Sequence, residues 1–418
     1  MKSSRNRIVL LMFVFLLAAV SVGEAAVTLR WRTCCRQEDR VEMFQRWARA
    51  FEKENPGITI DWYDPPGGLT QVKVEIAGGV GPDVMMQGAG IYGMLDVLMP
   101  LSPVVQKYPE LRREIIPSVL DQFTWQGEIY AIPYGANAHA LVYNKSLFDN
   151  VGVGYPRPDW TWDDALAAGR RLTRDVSGRG TPDVWGINLT GSVLHDMLLT
   201  FGGPVLGEDG RTVRVNNPAN LAALEFFGEL MSKGLDAYPR PAPNALQQFL
   251  GGQVAMVGQG VFAVPNLRSS AEFPWDVEVF PVFDVAGVRY RNAFTSAEGW
   301  SLLRSTQHPE EAVLFLRFLM RPENLAQMGG TGIIIPPFRG QPLRAFLSQP
   351  TPPENLTAFI DSLEEGKRLH TLYPMASAWT TTASQLVRQV LNGTAVASGV
   401  LEQIERLMNA AVKEFYAR

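Results

Sequence analysis

"GEIYAIPYGANAHALVYNKSLFDNVG", residues 127–152, is the stretch on which the fold turns. It reads as a β-hairpin arm followed by a strand that leads elsewhere in the molecule. Around it, strand-like and helical segments alternate, which is the pattern of an α/β protein. "VTLRWR" (27–32) is a short strand. "QEDRVEMFQRWARAFEKENPG" (37–57) is an amphipathic helix with Val41, Phe44, Trp47, Ala48 and Phe51 on one face, closed by Pro56 and Gly57. Trp31 and Trp47 fall on core-like faces. "ITIDWY" (58–63) is a second strand, and a Gly/Pro turn leads into a third over Val84–Gln87. "WTWDDALAAGRRLT" (160–173) is a helix with Thr161 placed as N-cap and Asp163 and Asp164 in its first turn. "NPANLAALEFFGELMSKG" and "HPEEAVLFLRFLMRPENLAQM" are further amphipathic helices, and the chain ends in a helical pair.

The first 26 residues run basic, apolar, small: Lys2, Arg5 and Arg7, then Ile8–Val20, then Ala25 and Ala26. That is the order of a secretory signal peptide, and the apolar run is short for a membrane span. The expectation is an exported protein, in the periplasm or at the outer face of the cytoplasmic membrane. About 390 residues remain, enough for two lobes. The formal net charge of −4 argues against nucleic acid or an anionic membrane as partner.

Seven segments, in order, resemble the carbohydrate-binding (maltose-binding-protein-like) group of extracellular solute-binding proteins of ABC importers. They are "FEKENPGITIDW", "GPDVMM", the 127–152 stretch with its G-x-x-Y-x-x-P … L-x-Y-N-K-x-L-F-x-x-x-G pattern, "TWDDALAAGRRLT", "FLGGQVAMVGQGVF", "EGWSLLRSTQHPEEAVLFLRFLM" and "GIIIPP". The resemblance covers nearly all of the chain after the signal. It implies two α/β lobes of the Venus-flytrap type, each a sheet flanked by helices, with a ligand cleft between them. By that analogy residues 27–137 and 296–345 form the N-terminal lobe, and 138–295 and 346–418 the C-terminal lobe. The crossings fall near Gly135–Ala140, near Phe294–Glu298 and in the Pro-rich "SQPTPPENL" (348–356), a poor helix or strand in its own right. The implied function is capture of a sugar or oligosaccharide and its delivery to ABC permease subunits, by a monomer without enzymatic activity or cofactor.

A sugar presents hydroxyls at its edges and C–H groups on its faces, so its site combines polar side chains with flat apolar platforms. Ligands of open α/β sheets sit at the carboxyl ends of strands. The candidates are therefore Cys34, Cys35, Arg36 and Gln37 after the first strand and Gln87 and Gly88 after the third. Tyr134 and Asn137 lie on the crossing arm, His195 in "TGSVLHD", Gly260 in "GQGVF", and Glu298 and Trp300 in "AEGW". Phe262 and Trp379 stand where the resemblance places ring-stacking aromatics.

Competing motifs are weak. "GAGIYG" (88–93) satisfies G-x-G-x-x-G, but on the third strand and in an exported chain. "DVSGRGTPDVWG" (175–186) approaches calcium-loop spacing through Asp175, Ser177 and Asp183, yet Arg179 replaces an expected oxygen, so a turn is the better assignment. The four histidines, 139, 195, 308 and 370, show no zinc spacing, and no metal site is expected. Cys34 and Cys35, the only cysteines, sit too far from the signal for a lipid anchor. In an oxidising compartment they are a vicinal disulfide, an intermolecular pair or two buried thiols. The resemblance turns the loop toward the cleft, where a Cys34–Cys35 disulfide becomes a rigid plate for a sugar face. A secreted glycan-active enzyme with paired carboxylates, or a carrier for a non-sugar solute, are the alternatives.

Overall fold

The computed structural model describes residues 26–34, 38–66, 69–88, 91–189, 198–199, 201, 205, 211–240, 242–365 and 376–417. Residues 1–25, most of the expected signal peptide, lie outside them, as do Cys35, Arg36, Gln37 and His195 and the side chain of Trp379.

The strands are β1 (Val27–Arg32), β2 (Ile58–Tyr63), β3 (Val84–Gly88), β4 (Thr124–Trp125), β5 (Glu128–Ile129), β6 (Ile132–Asn144), β7 (Trp185–Asn188), β8 (Val254–Gly260), β9 (Trp275–Glu278), β10 (Phe283–Val285), β11 (Val288–Tyr290) and β12 (Thr295–Leu302). Two small hairpins, β4–β5 and β10–β11, stand apart from one sheet in the order β2-β1-β3-β12-β6-β8-β7, with β9 also paired to β6. β1 runs parallel to β2 and β3, and β7 parallel to β8, while β12 is antiparallel to β3 and β6.

β6 is the crossing strand. Up to Ala138 it pairs with β12. From His139 it pairs with β8, and from Leu141 with β9 as well. One continuous strand thus serves two lobes. Its residues are small where a third segment crosses beside it. Ala136 exchanges two 2.8 Å backbone hydrogen bonds with Ile335. A Cβ on Gly135 would stand 2.2 Å from an Ile334 carbon, so only glycine admits that approach.

The first lobe's core lies between the sheet and two helices. In α1 (Glu38–Glu54), Met43, Phe44, Trp47, Ala48 and Phe51 are buried and Val41 is half-buried, the outcome of apolar residues at three- and four-residue spacing. Trp31 takes Phe44, Trp300 and Phe315 edge-on at centroid distances of 5.1, 5.4 and 5.0 Å. A second apolar cluster runs from Met85 and Ile91 through Ala136–Val142 to Trp162, Phe227, Met256 and Leu401, so it is continuous along the crossing strand. The helix Trp162–Leu172 starts with a capping box, the Thr161 hydroxyl accepting from Asp164 N and the Asp164 carboxylate from Thr161 N.

The Pro-rich segment is fastened to both sides. Arg268 donates to Pro352 O and to Gln349 Oε1, while Gln349 Nε2 donates to Gly329 O. Asp276 on β9 accepts from the backbone N–H groups of Glu354 and Asn355.

Candidate functional site

Among the described residues, Cys34, Gln87, Gly88, Tyr134, Asn137 and Glu298 lie on or after β1, β3, β6 and β12, and Gly260 and Phe262 at the end of β8. Thr33 closes β1 with a backbone bond to Tyr63 and accepts from Trp62 Nε1 at 3.1 Å. Cys34 then packs on the first lobe's core, its Sγ 3.4 Å from Met86 Sδ. No described cysteine is a free thiol.

α1 follows with Arg40, 3% exposed. A cation in a helix's first turn opposes the dipole, and this one is also buried. Both costs are met by Glu298 on β12, whose Oε2 accepts from Arg40 Nη2 at 2.8 Å and from Tyr134 OH at 2.5 Å. Burial opposes the guanidinium charge, but the charge of Glu298 and its hydrogen bond outweigh it and the Arg40 pKa is raised. Burial, then the Glu298 carboxylate, pushes the Tyr134 phenol well above its ordinary range.

Gln87, 2% exposed, gives its Nε2 to Gly88 O at 3.0 Å, which leaves Oε1 buried with no hydrogen-bond partner among the described residues. Asn137 Oδ1 is in the same state. Gly88 is exposed at the end of β3 and pairs with Glu298, which pairs on its other side with Gly135.

Across the change of partner, His139 pairs with Gly260. A Cβ on Gly260 would lie 2.3 Å from the Phe262 ring and 2.9 Å from His139 Nε2. The Phe262 ring is 47% exposed, an aromatic offered to solvent, and His139 meets it and Phe294 edge-on. Burial pushes the His139 pKa down to about 4, so its imidazole is neutral near pH 7, and Nδ1 has no partner among the described residues.

One expected contact takes another place. Trp300 is wholly buried and stacks on Tyr134 at 4.5 Å, and Tyr134 itself is 1% exposed. The pairing shifts between Glu298 and Gly299, and Trp300 joins Met86 and Ile132 in the first lobe's core. Its indole presents no face to a cleft. Trp379 belongs to the helix Ala376–Leu391, and nothing further is described of it.

Arg40 and His139 were missed in the sequence. For Arg40 a signal existed, a cation in the first turn of an otherwise regular amphipathic helix. His139 carried no comparable mark within its apolar run.

The competing motifs resolve into local structure. Gly88 ends β3, and Ile91–Met94 is a single 3₁₀ turn, not the helix start that a dinucleotide fingerprint requires. Asp175 accepts from Ser177 Oγ and from the backbone N–H groups of Arg179 and Gly180, and Asp183 from those of Val176 and Ser177. These carboxylates shape a turn. Among the described residues no group of three or more His, Cys, Asp or Glu is placed to hold a metal ion, and no helix is long and apolar enough to cross a membrane.

Comparison with known proteins gives a consistent result. The sequence profile described as bacterial extracellular solute-binding protein matches residues 38–326. The mannitol-binding protein of Pseudomonas aeruginosa is 30% identical over 308 residues, 69% of this chain and 66% of the relative. The sn-glycerol-3-phosphate-binding periplasmic protein of Salmonella typhimurium is 24% identical over 222 residues, 51% of this chain and 50% of the relative. In structure, an ABC substrate-binding protein from Listeria monocytogenes in complex with cycloalternan superposes with a TM-score of 0.76 at 22% identity, covering 93% of this chain and 99% of the other. The sugar-binding protein of Xanthomonas citri gives 0.75 at 18% identity, covering 93% and 98%.

Proposed function

Because the chain belongs to the family of bacterial extracellular solute-binding proteins, we propose that it captures a sugar, sugar alcohol or oligosaccharide in the cleft between its lobes and hands it to an ABC permease. One observation carries this: on the crossing strand Asn137 Oδ1 is buried with no hydrogen-bond partner among the described residues, and two residues on, His139 meets the exposed Phe262 ring edge-on. An orphaned buried acceptor costs about 1–3 kcal/mol. A ligand hydroxyl would remove that cost while a ring face packs on Phe262.

On this reading residues 27–137 and 296–345 act as one body and 138–295 and 346–418 as the other, supported by the change of pairing between Ala138 and His139. Closure is then a population shift driven by contacts with both lobes. Cys34 and Cys35 form a vicinal disulfide whose apolar surface lies against the ligand, with Arg36 and Gln37 reaching its hydroxyls and His195 and Trp379 contributing from the second lobe. The protein works outside the cytoplasm after loss of its signal peptide, as a non-catalytic monomer.

A thermal-shift screen tests the proposal. D-mannitol, maltose, maltotriose, cycloalternan and sn-glycerol 3-phosphate are each added to the purified mature chain. A binding sugar raises the melting temperature by mass action. A shift with the phosphate ester alone would assign a non-sugar solute. Cleavage of an oligosaccharide during incubation would replace the carrier with an enzyme.

A further inference from the structure

We infer that Arg40 is a positioning residue for ligand capture: it holds the Glu298 carboxylate so that Oε1 faces the cleft as a hydroxyl acceptor. The inference rests on the cleft assignment above and adds a residue which never touches the ligand.

The cluster joins three elements that are distant in sequence. Arg40 comes from the start of α1, Tyr134 from the crossing strand β6 and Glu298 from β12. Both donors converge on one oxygen, Glu298 Oε2. Among the described residues none donates to Oε1. Solvent reaches the carboxylate and hardly the guanidinium, since the Glu298 side chain is 19% exposed and that of Arg40 4%. On the neighbouring strands Glu298 stands opposite Gly88 and Gly135, neither of which has a side chain to cover it.

A carboxylate in that position needs two things before it can serve a ligand. Its charge must be balanced, or burial would be costly. Its rotamer must be fixed, or ordering it would reduce the affinity gained. The bond from Arg40 does both, and Tyr134 completes the clamp. What remains is an oxygen that only accepts. It suits a neutral polyhydroxylated ligand and repels a phosphate ester.

Isothermal titration with maltotriose, D-mannitol and sn-glycerol 3-phosphate tests this on the wild-type chain and on Arg40→Met, Arg40→Lys, Glu298→Gln and the Arg40→Met/Glu298→Gln pair. With the neutral probe bound by the wild type, Arg40→Met should weaken binding about ten-fold or more, the scale of one lost charged hydrogen bond. Arg40→Lys should recover part of the loss. The double variant should bind no more weakly than Glu298→Gln alone, because Arg40 acts through Glu298. If Arg40→Met leaves a buried carboxylate that prevents folding, the double variant, which removes both charges, and Tyr134→Phe, expected to weaken binding several-fold, carry the test. Wild-type affinity in Arg40→Met, or losses that multiply in the double variant, would overturn the inference and leave the cleft assignment standing. A wild-type chain that binds none of the three probes would overturn both.

Discussion

The ring of Phe262 occupies the space in which any side chain on Gly260 would begin, 2.3 Å from an ideal Cβ. The backbone of Gly260 has φ −79° and ψ 158°, open to every residue, so glycine is required there for room alone. Gly260→Ala should therefore leave the fold intact and turn the Phe262 ring aside. Sugar affinity should fall several-fold, and Phe262→Ala should lose ~0.5–1.5 kcal/mol of ring packing. Titration of both variants checks this, with equal loss in the two as the expected sign that Gly260 acts through Phe262.

His139 makes stability depend on pH in a defined window. Its pKa in the folded chain is about 4, against an ordinary 6.5, because burial disfavours the charged ring. Between those values the unfolded chain binds the proton and the folded chain does not. Its contribution is fully present above pH 6.5 and is lost as pH falls toward 4, up to about 3 kcal/mol in all. Urea midpoints at pH 7 and pH 4.5 should differ for the wild type, and the difference should shrink in His139→Leu.

The two cysteines give a third test. Cys34→Ser/Cys35→Ser, or reduction with a small thiol, should weaken sugar binding while the first lobe keeps its core, since Cys34 only borders that core. Unchanged affinity would remove the disulfide plate from the site.

A control lies on a helix that carries none of the candidate site residues. Thr161→Ala breaks the capping box of the helix Trp162–Leu172. It should cost about 1 kcal/mol of stability and leave ligand affinity unchanged, which melting and titration together would show.

Much of the architecture was legible because it is local. The α1 face, the Thr161 cap and the three N-terminal strands follow from side-chain spacing and backbone preference within a few residues. The site was legible only in part. Strand ends and resemblance nominate Gln87, Asn137, Gly260, Phe262 and Glu298, whose part in binding is the proposal made above. Trp300 went to the core instead, because the shift of pairing beside Glu298 accompanies its packing against Tyr134.

By itself, then, the sequence determined the periodic elements, the crossing stretch at 127–152 and the family, all properties of short segments and of their order. Only the tertiary structure decided that Arg40 and Glu298, 258 residues apart, share a hydrogen bond, and that Gly88 and Gly135 flank the carboxylate. The reason is physical: strand register and helix docking are set by cooperative packing of the whole core, and no spacing within one segment encodes them.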